Sequence, residues 1–178
     1  MKKDNIFLIG FMGSGKSTVL QELVLLFPEY LSVEMDSIIE KQEKRSISDI
    51  FAANGEEYFR QCEQQLLEDI VIYNRPALVS TGGGIVINDK HRELLKKNGL
   101  VVWLAVSAEK IYERIKDETH RPLLNTHKSK TEIISDINLI LDKRFEWYKD
   151  SADLIINTDD LSPLEIAQEI QMEHGRLS

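Results

Sequence analysis

Short, almost uniformly apolar runs alternate along the chain with longer stretches in which apolar positions recur every three to four residues. The runs at 5–9, 31–35, 77–80, 100–106 and 153–157 show little in-and-out alternation, the pattern of strands covered on both faces. Helical patterns occupy 15–27, 37–44, 46–53, 55–72, 88–97, 108–117, 131–149 and 163–174. This order predicts stacked βαβ units sharing one parallel sheet, in a single α/β domain over 1–178. In Ser162-Pro163-Leu164-Glu165 the N-cap serine and first-turn proline predict where the last helix begins. Periodicity fails between 116 and 130, so the polar stretch around Arg121-Pro122-Leu123-Leu124 predicts a long functional loop.

Two helical stripes carry arginines. Over 55–72, Tyr58, Cys62, Leu66 and Ile70 repeat every four residues with Phe59 beside them, which predicts the buried face and leaves Arg60 off it, toward solvent or a cleft. Over 131–149, Ile133, Ile137, Ile140, Leu141 and Tyr148 share one face and Arg144 falls among them, so it is expected to point inward. A buried guanidinium must be paired, by a structural carboxylate or by an anionic ligand, and spacing does not separate the two.

The sharpest local signal is Gly10-Phe11-Met12-Gly13-Ser14-Gly15-Lys16-Ser17, a Walker A match between a predicted strand and a predicted helix. Its glycines allow a tight turn whose backbone N–H groups, with the helix N-terminus, converge on phosphate; Lys16 adds charge and Ser17 a hydroxyl for a metal ion. A magnesium nucleotide is the expected ligand, although such a loop does not name the phosphoryl acceptor. Glu34-Met35-Asp36 ends the second strand, where open α/β sheets place their ligand crevice. One carboxylate there suits a metal shell and the other an attacking hydroxyl, or both are plain first-turn acids of the next helix. Gly82-Gly83-Gly84 follows the third strand, where many nucleotide-hydrolysing relatives carry a metal-organising aspartate; here three glycines expose backbone instead.

Composition narrows the partners. A net charge of −8 over 178 residues repels duplex nucleic acid. No apolar run approaches the roughly 20 residues of a membrane span, the single cysteine Cys62 has no internal partner, and the N-terminus lacks a signal-peptide pattern. A cytoplasmic monomer is expected. His91, His120, His127 and His174 show no metal-ligand spacing and are assigned no role.

Taken in order, Gly10 to Thr18, Ser46-Ile47-Ser48-Asp49-Ile50-Phe51, Gly55-Glu56-Glu57-Tyr58-Phe59-Arg60, Ser80-Thr81-Gly82-Gly83-Gly84 and Arg121-Pro122-Leu123-Leu124 resemble the shikimate kinase family. The resemblance implies a three-layer P-loop fold like that of nucleoside monophosphate kinases, with five parallel strands in order 2-3-1-4-5 and a mobile lid at about 117–130. It implies transfer of the γ-phosphoryl group of ATP to the 3-hydroxyl of shikimate, with magnesium, on the route to chorismate and the aromatic amino acids. By position, Gly13, Ser14, Gly15, Lys16, Ser17 and Thr18 hold the nucleotide, and Arg114 lies beside adenine. Asp36 binds the shikimate hydroxyls and activates one, Arg60 and Arg144 grip the carboxylate, and Gly82, Gly83 and Gly84 line the acceptor. Lys16, Asp36 and the lid residue Arg121 are the implied catalytic groups, and Ser17 with outer-shell Glu34 the metal contacts. Glu34 stands where the family usually has aspartate, and Lys44 where it often has glycine. Two competing readings are another small-metabolite kinase, acting on gluconate or a nucleoside monophosphate, and a non-catalytic nucleotide-binding regulator; two inward arginines favour a carboxylate acceptor over the first, and intact Lys16, Asp36, Arg60 and Arg144 speak against the second.

Overall fold

A computed structural model describes residues 5–73, 75–116 and 129–177. Five strands, β1 (Asn5–Ile9), β2 (Leu31–Glu34), β3 (Ala77–Ser80), β4 (Gly99–Ala105) and β5 (Leu154–Asn157), pair in parallel in the order β2-β3-β1-β4-β5. The expected topology is the observed one. β1 sits at the centre, with Phe7 level with Val79 on one side and Val101 on the other.

Strand residues pointing to opposite faces feed two cores. Ile6, Leu8, Leu78, Val102 and Ile156 pack against Val19, Leu20 and Leu23 of α1 (Lys16–Leu26) and Ile166, Ala167 and Ile170 of α7 (Pro163–Leu177). Phe7, Ile9, Val79, Val101 and Trp103 face the other way, toward α2 (Met35–Glu43), α3 (Ile47–Ile72), α4 (Asp89–Asn98) and α6 (Lys130–Ser151). A smaller cluster of Phe11, Ile111, Ile115, Ile133 and Ile137 joins α5 (Ala108–Ile115) to α6 beside the loop after β1. Burial on both faces explains why β1, β3 and β4 read as unbroken apolar runs, whereas the edge strands β2 and β5 leave Ser32 and Ile155 exposed.

Local chemistry places the helix ends. Ser46 caps α3 by accepting from the Asp49 N–H at 3.1 Å, and Ser129 with Glu132 forms a reciprocal capping box on α6. At α7, Ser162 Oγ accepts from the Glu165 N–H at 3.3 Å, as the sequence predicts. The two helices expected at 46–53 and 55–72 are both present within α3, divided by a kink at Gly55, whose φ of 83° and ψ of 174° are non-helical and suit glycine. The strand expected at 31–35 stops at Glu34, and Met35 already belongs to α2.

The predicted stripe of α3 is rotated. Phe59, Glu63, Leu66, Leu67 and Ile70 are buried, whereas Tyr58 and Cys62 are half-buried. Hydrophobic periodicity passes over Glu63 because it is an acid; the stripe turns by about one residue to admit it.

Candidate active site

The loop after β1 enters α1 through Gly15, whose φ is 91°, and Gly13 has a φ of 75°. Room as well as conformation restricts this turn: a Cβ on Gly13 would lie 2.8 Å from Ile115 of α5. α1 has no side-chain cap and no acid in its first turn, so its positive end is available to an anion. Lys16 is buried, and its ammonium donates to the carbonyls of Gly10 at 2.8 Å and Phe11 at 3.0 Å. Around this point a cavity of about 350 Å³ is lined by Gly13, Gly15, Lys16, Ser17, Thr18, Glu34, Asp36 and Arg114 among others. Of the expected nucleotide-binding residues 13–18, Ser14 does not line it and is buried. Arg114, from α5, donates to the Gly13 carbonyl at 3.1 Å and the Thr158 carbonyl at 3.4 Å, bridging the loop to the segment after β5.

Glu34 is the N-cap residue of α2, yet its side chain makes no capping hydrogen bond and instead faces the cavity that Ser17 lines. Asp36 does lie in the first turn of α2, as the plain reading of these acids requires, and also borders two cavities at once. The second, of about 750 Å³, is lined by Met12, Asp36, Ser46, Phe51, Phe59, Arg60, Glu63, Gly82, Gly83, Gly84 and Arg144, among others. Met12, Asp36 and Gly83 are common to both, so the spaces for donor and acceptor meet there.

The two arginines arrive from different helices. Arg60 neither projects into solvent nor stands alone: Nη1 donates to Glu63 at 2.6 Å and Nη2 to Glu56 at 2.8 Å, while its buried Nε has no partner among the described residues. Arg144 does point inward, as its stripe position predicts, and donates to the Gly83 carbonyl at 3.1 Å with its guanidinium 5.8 Å from the Phe11 ring centre. It meets a carbonyl rather than a carboxylate, the arrangement left open to an anionic ligand.

Three groups escaped the sequence reading. Tyr148, placed only in the core stripe, donates its hydroxyl to the same Gly83 carbonyl at 2.7 Å, and burial pushes its phenol up to about 12. Glu63 has no exposed side-chain surface, and burial pushes its carboxyl up to about 7 against the pull of Arg60, with Asp36 adding to the rise. His91 of α4 is buried with its Nδ1 4.0 Å from Glu63, and burial pushes the imidazole down to about 4. An inward acid three residues after an arginine was the available signal for Glu63. A Cβ on Gly82 would lie 2.6 Å from Glu63 Oε1, and one on Gly84 would press on the Arg60 guanidinium, so a larger residue at either position would displace these side chains. Arg121 and residues 117–128 of the expected lid lie outside the described residues. Among the described residues no group of three or more His, Cys, Asp or Glu side chains could hold a metal ion.

A sequence profile described as "Shikimate kinase" matches residues 12–174, covering both cavities and every element between them. The chain belongs to the shikimate kinase family. Its relatives agree over nearly full length. The Shikimate kinase of Sulfurihydrogenibium sp. is 42% identical over 171 residues, 93% of this chain and 95% of the relative. That of Thermodesulfovibrio yellowstonii is 38% identical over 174 residues, 98% and 96% of the respective chains. Among solved structures, the shikimate kinase of Acinetobacter baumannii in complex with shikimate superposes with a TM-score of 0.85 at 30% identity, covering 96% of this chain and 92% of that one. The shikimate kinase from Aquifex aeolicus gives 0.78 at 33%, covering 94% of each chain. A gluconokinase from Sinorhizobium meliloti reaches 0.57 at 18% identity, covering 98% of this chain and 93% of that one, a likeness of fold alone.

Proposed function

We propose that the chain transfers the γ-phosphoryl group of ATP to the 3-hydroxyl of shikimate, forming shikimate 3-phosphate and ADP on the route to chorismate. The observation that carries this reading is the junction of the two cavities at Asp36, Met12 and Gly83. A donor phosphate in one and an acceptor hydroxyl in the other meet at a carboxylate, with Lys16 lining the donor side.

Each residue then has a task that its position supports. Gly13, Gly15, Lys16, Ser17 and Thr18 line the cavity that takes the nucleotide phosphates, with Ser14 shaping the turn beneath and Arg114 reaching over it beside adenine. Arg60 and Arg144 grip the shikimate carboxylate from opposite sides of the glycine segment, Arg60 through its spare donor and Arg144 through the bonds it does not give to Gly83. Gly82, Gly83 and Gly84 hold the ring close to backbone. Asp36 accepts a hydrogen bond from the attacking hydroxyl, and alignment matters there more than full deprotonation in a loose phosphoryl transfer. Arg121 is assigned to the transferred phosphate by its motif.

Ser17 and Glu34 line one cavity with Lys16, a donor set that suits a magnesium ion brought in by the nucleotide and too sparse to hold one alone. Bound there, magnesium supplies charge neutralisation on the phosphates. A cytoplasmic monomer is part of this reading; the net charge of −8 disfavours duplex nucleic acid, and among the described residues no helix is long and apolar enough to cross a membrane. The deciding experiment follows ADP release with and without shikimate. Turnover should require ATP, magnesium and shikimate together, and substantial turnover that ignores shikimate would remove the assignment.

A further inference from the structure

The acceptor cavity holds more acid than a site for an anion needs. Its described charges are the guanidinium groups of Arg60 and Arg144 and the carboxyl groups of Asp36, Glu40 and Glu63, with Glu56 reaching Arg60 from a more exposed position and Glu40 accepting from the Ile47 N–H at 2.9 Å. With all three carboxyls ionised the five lining groups already carry one surplus negative charge. A docked carboxylate then adds a second beside the buried Glu63. Something must yield, because an uncompensated buried charge costs several kcal/mol.

Glu63 is the group built to yield. Its side chain is fully buried, Oε2 is committed to Arg60 at 2.6 Å, and Oε1 has no hydrogen-bond partner among the described residues. Oε1 also crowds the point where a Cβ on Gly82 would sit, at 2.6 Å, with Asp36 Oδ1 at 2.9 Å from the same point. A proton on Oε1 would convert two facing acceptors into a donor and an acceptor. We infer, resting on the acceptor-site reading above, that Glu63 is a positioning residue that takes a proton from solvent when the shikimate carboxylate docks on Arg60 and Arg144, and returns it when the site empties.

The other groups around Glu63 do not supply this proton near neutral pH. From α3 come Arg60 and Glu56, from α2 Asp36, from α4 His91, and from α6 Arg144 and Tyr148 through the Gly83 carbonyl. His91, pushed down to about 4 by burial, is neutral at pH 7, and Tyr148, pushed up to about 12, keeps its proton. The Glu63 carboxyl sits at about 7 in the empty site, so it is partly ionised at neutral pH and free to respond. An incoming negative charge raises it further. The sign follows from linkage: a group whose pKa rises on binding takes up a proton, and the affinity it supports falls as pH climbs through the empty-site value.

Calorimetric titration of shikimate into the full chain at pH 7.5, in buffers of different ionisation enthalpy, reads the coupling directly. The slope of the observed heat against buffer enthalpy should correspond to uptake of about 0.7 proton per shikimate, and the dissociation constant should rise about tenfold or more between pH 6 and pH 8.5. Glu63→Gln should bring both slopes close to zero while shikimate still binds. A flat slope in the parent chain overturns the inference without any variant, and an undiminished slope in Glu63→Gln overturns it by placing the proton elsewhere. No binding in the parent at any pH would instead remove the acceptor-site reading on which it rests.

Discussion

Arg60→Ala separates two tasks of one guanidinium, the proposed grip on the acceptor and the pairing with Glu63. The side chains of Arg60 and Glu63 are 14% and 0% exposed and meet at 2.6 Å, whereas Glu56, the other partner, is 57% exposed. The Glu56 pair is a surface contact contributing about 0.3–0.5 kcal/mol. Removing one member of a buried pair costs about 3–5 kcal/mol if the other stays charged. Glu63 escapes part of this by taking a proton. Its folded pKa of about 7 already lies above the ordinary 4.5, so the stability it contributes is full below about pH 4.5 and is lost as pH rises through about 7. Without Arg60 the folded value climbs and the loss continues upward. Arg60→Ala should therefore differ little from the parent near pH 6 and be destabilised by about 2 kcal/mol at pH 8.5, measured by urea unfolding. Arg60→Ala/Glu63→Gln, with no acid left to ionise, should recover most of that loss and flatten its pH dependence. Shikimate affinity should fall by about 1.5–3 kcal/mol in both variants, because the clamp is gone from each. Identical pH dependence of unfolding in the single and double variants would refute the buried charge. Arg144→Ala should show the loss of affinity without the pH-dependent instability, since its described partner is the Gly83 carbonyl.

The remaining expectations concern the reacting groups and one strained turn. Lys16→Ala should lower turnover by about a hundredfold or more in the coupled ADP assay, and a twofold loss would contradict its place in the phosphate cradle. Asp36→Asn should lower it by about 10²–10⁴, with a loss near the low end showing that orientation outweighs proton acceptance; near-parental turnover would take Asp36 out of the mechanism. Glu34→Gln should raise the magnesium concentration for half-maximal rate far more than Glu34→Asp, which should change it by a few-fold. Parental magnesium dependence in both would leave Glu34 an acid at the start of α2. Lys44, the C-cap of α2, holds a left-handed φ of 54° that lysine adopts reluctantly, so Lys44→Gly should stabilise the fold by about 0.5 kcal/mol with shikimate binding unchanged. A lower melting temperature would show that the lysine makes contacts outweighing its strain.

Most of the frame was legible in the residues themselves. Strands covered on both faces must be apolar on both, so β1, β3 and β4 stood out as unbroken runs, and a Walker A turn needs its glycines and lysine at fixed spacing, so it did too. The limits appear where a residue's environment comes from elsewhere in the chain. Arg144 at a core-facing position predicted its direction, but only α6 laid against the glycine segment decided that it meets the Gly83 carbonyl and not a carboxylate. Glu63 is the clearest case, because hydrophobic periodicity assigns an acid to the surface and gave its place on the stripe to Cys62. Its burial is tolerable only with Arg60 one helical turn before it, and its elevated pKa arises from desolvation and from Asp36 on another helix. The sequence by itself determined which elements form, in what order, and which loop carries the Walker A pattern, since these depend on neighbours along the chain. The tertiary structure alone decided which charges face one another in the acceptor cavity, because electrostatic energy depends on distances and burial that chain order does not contain.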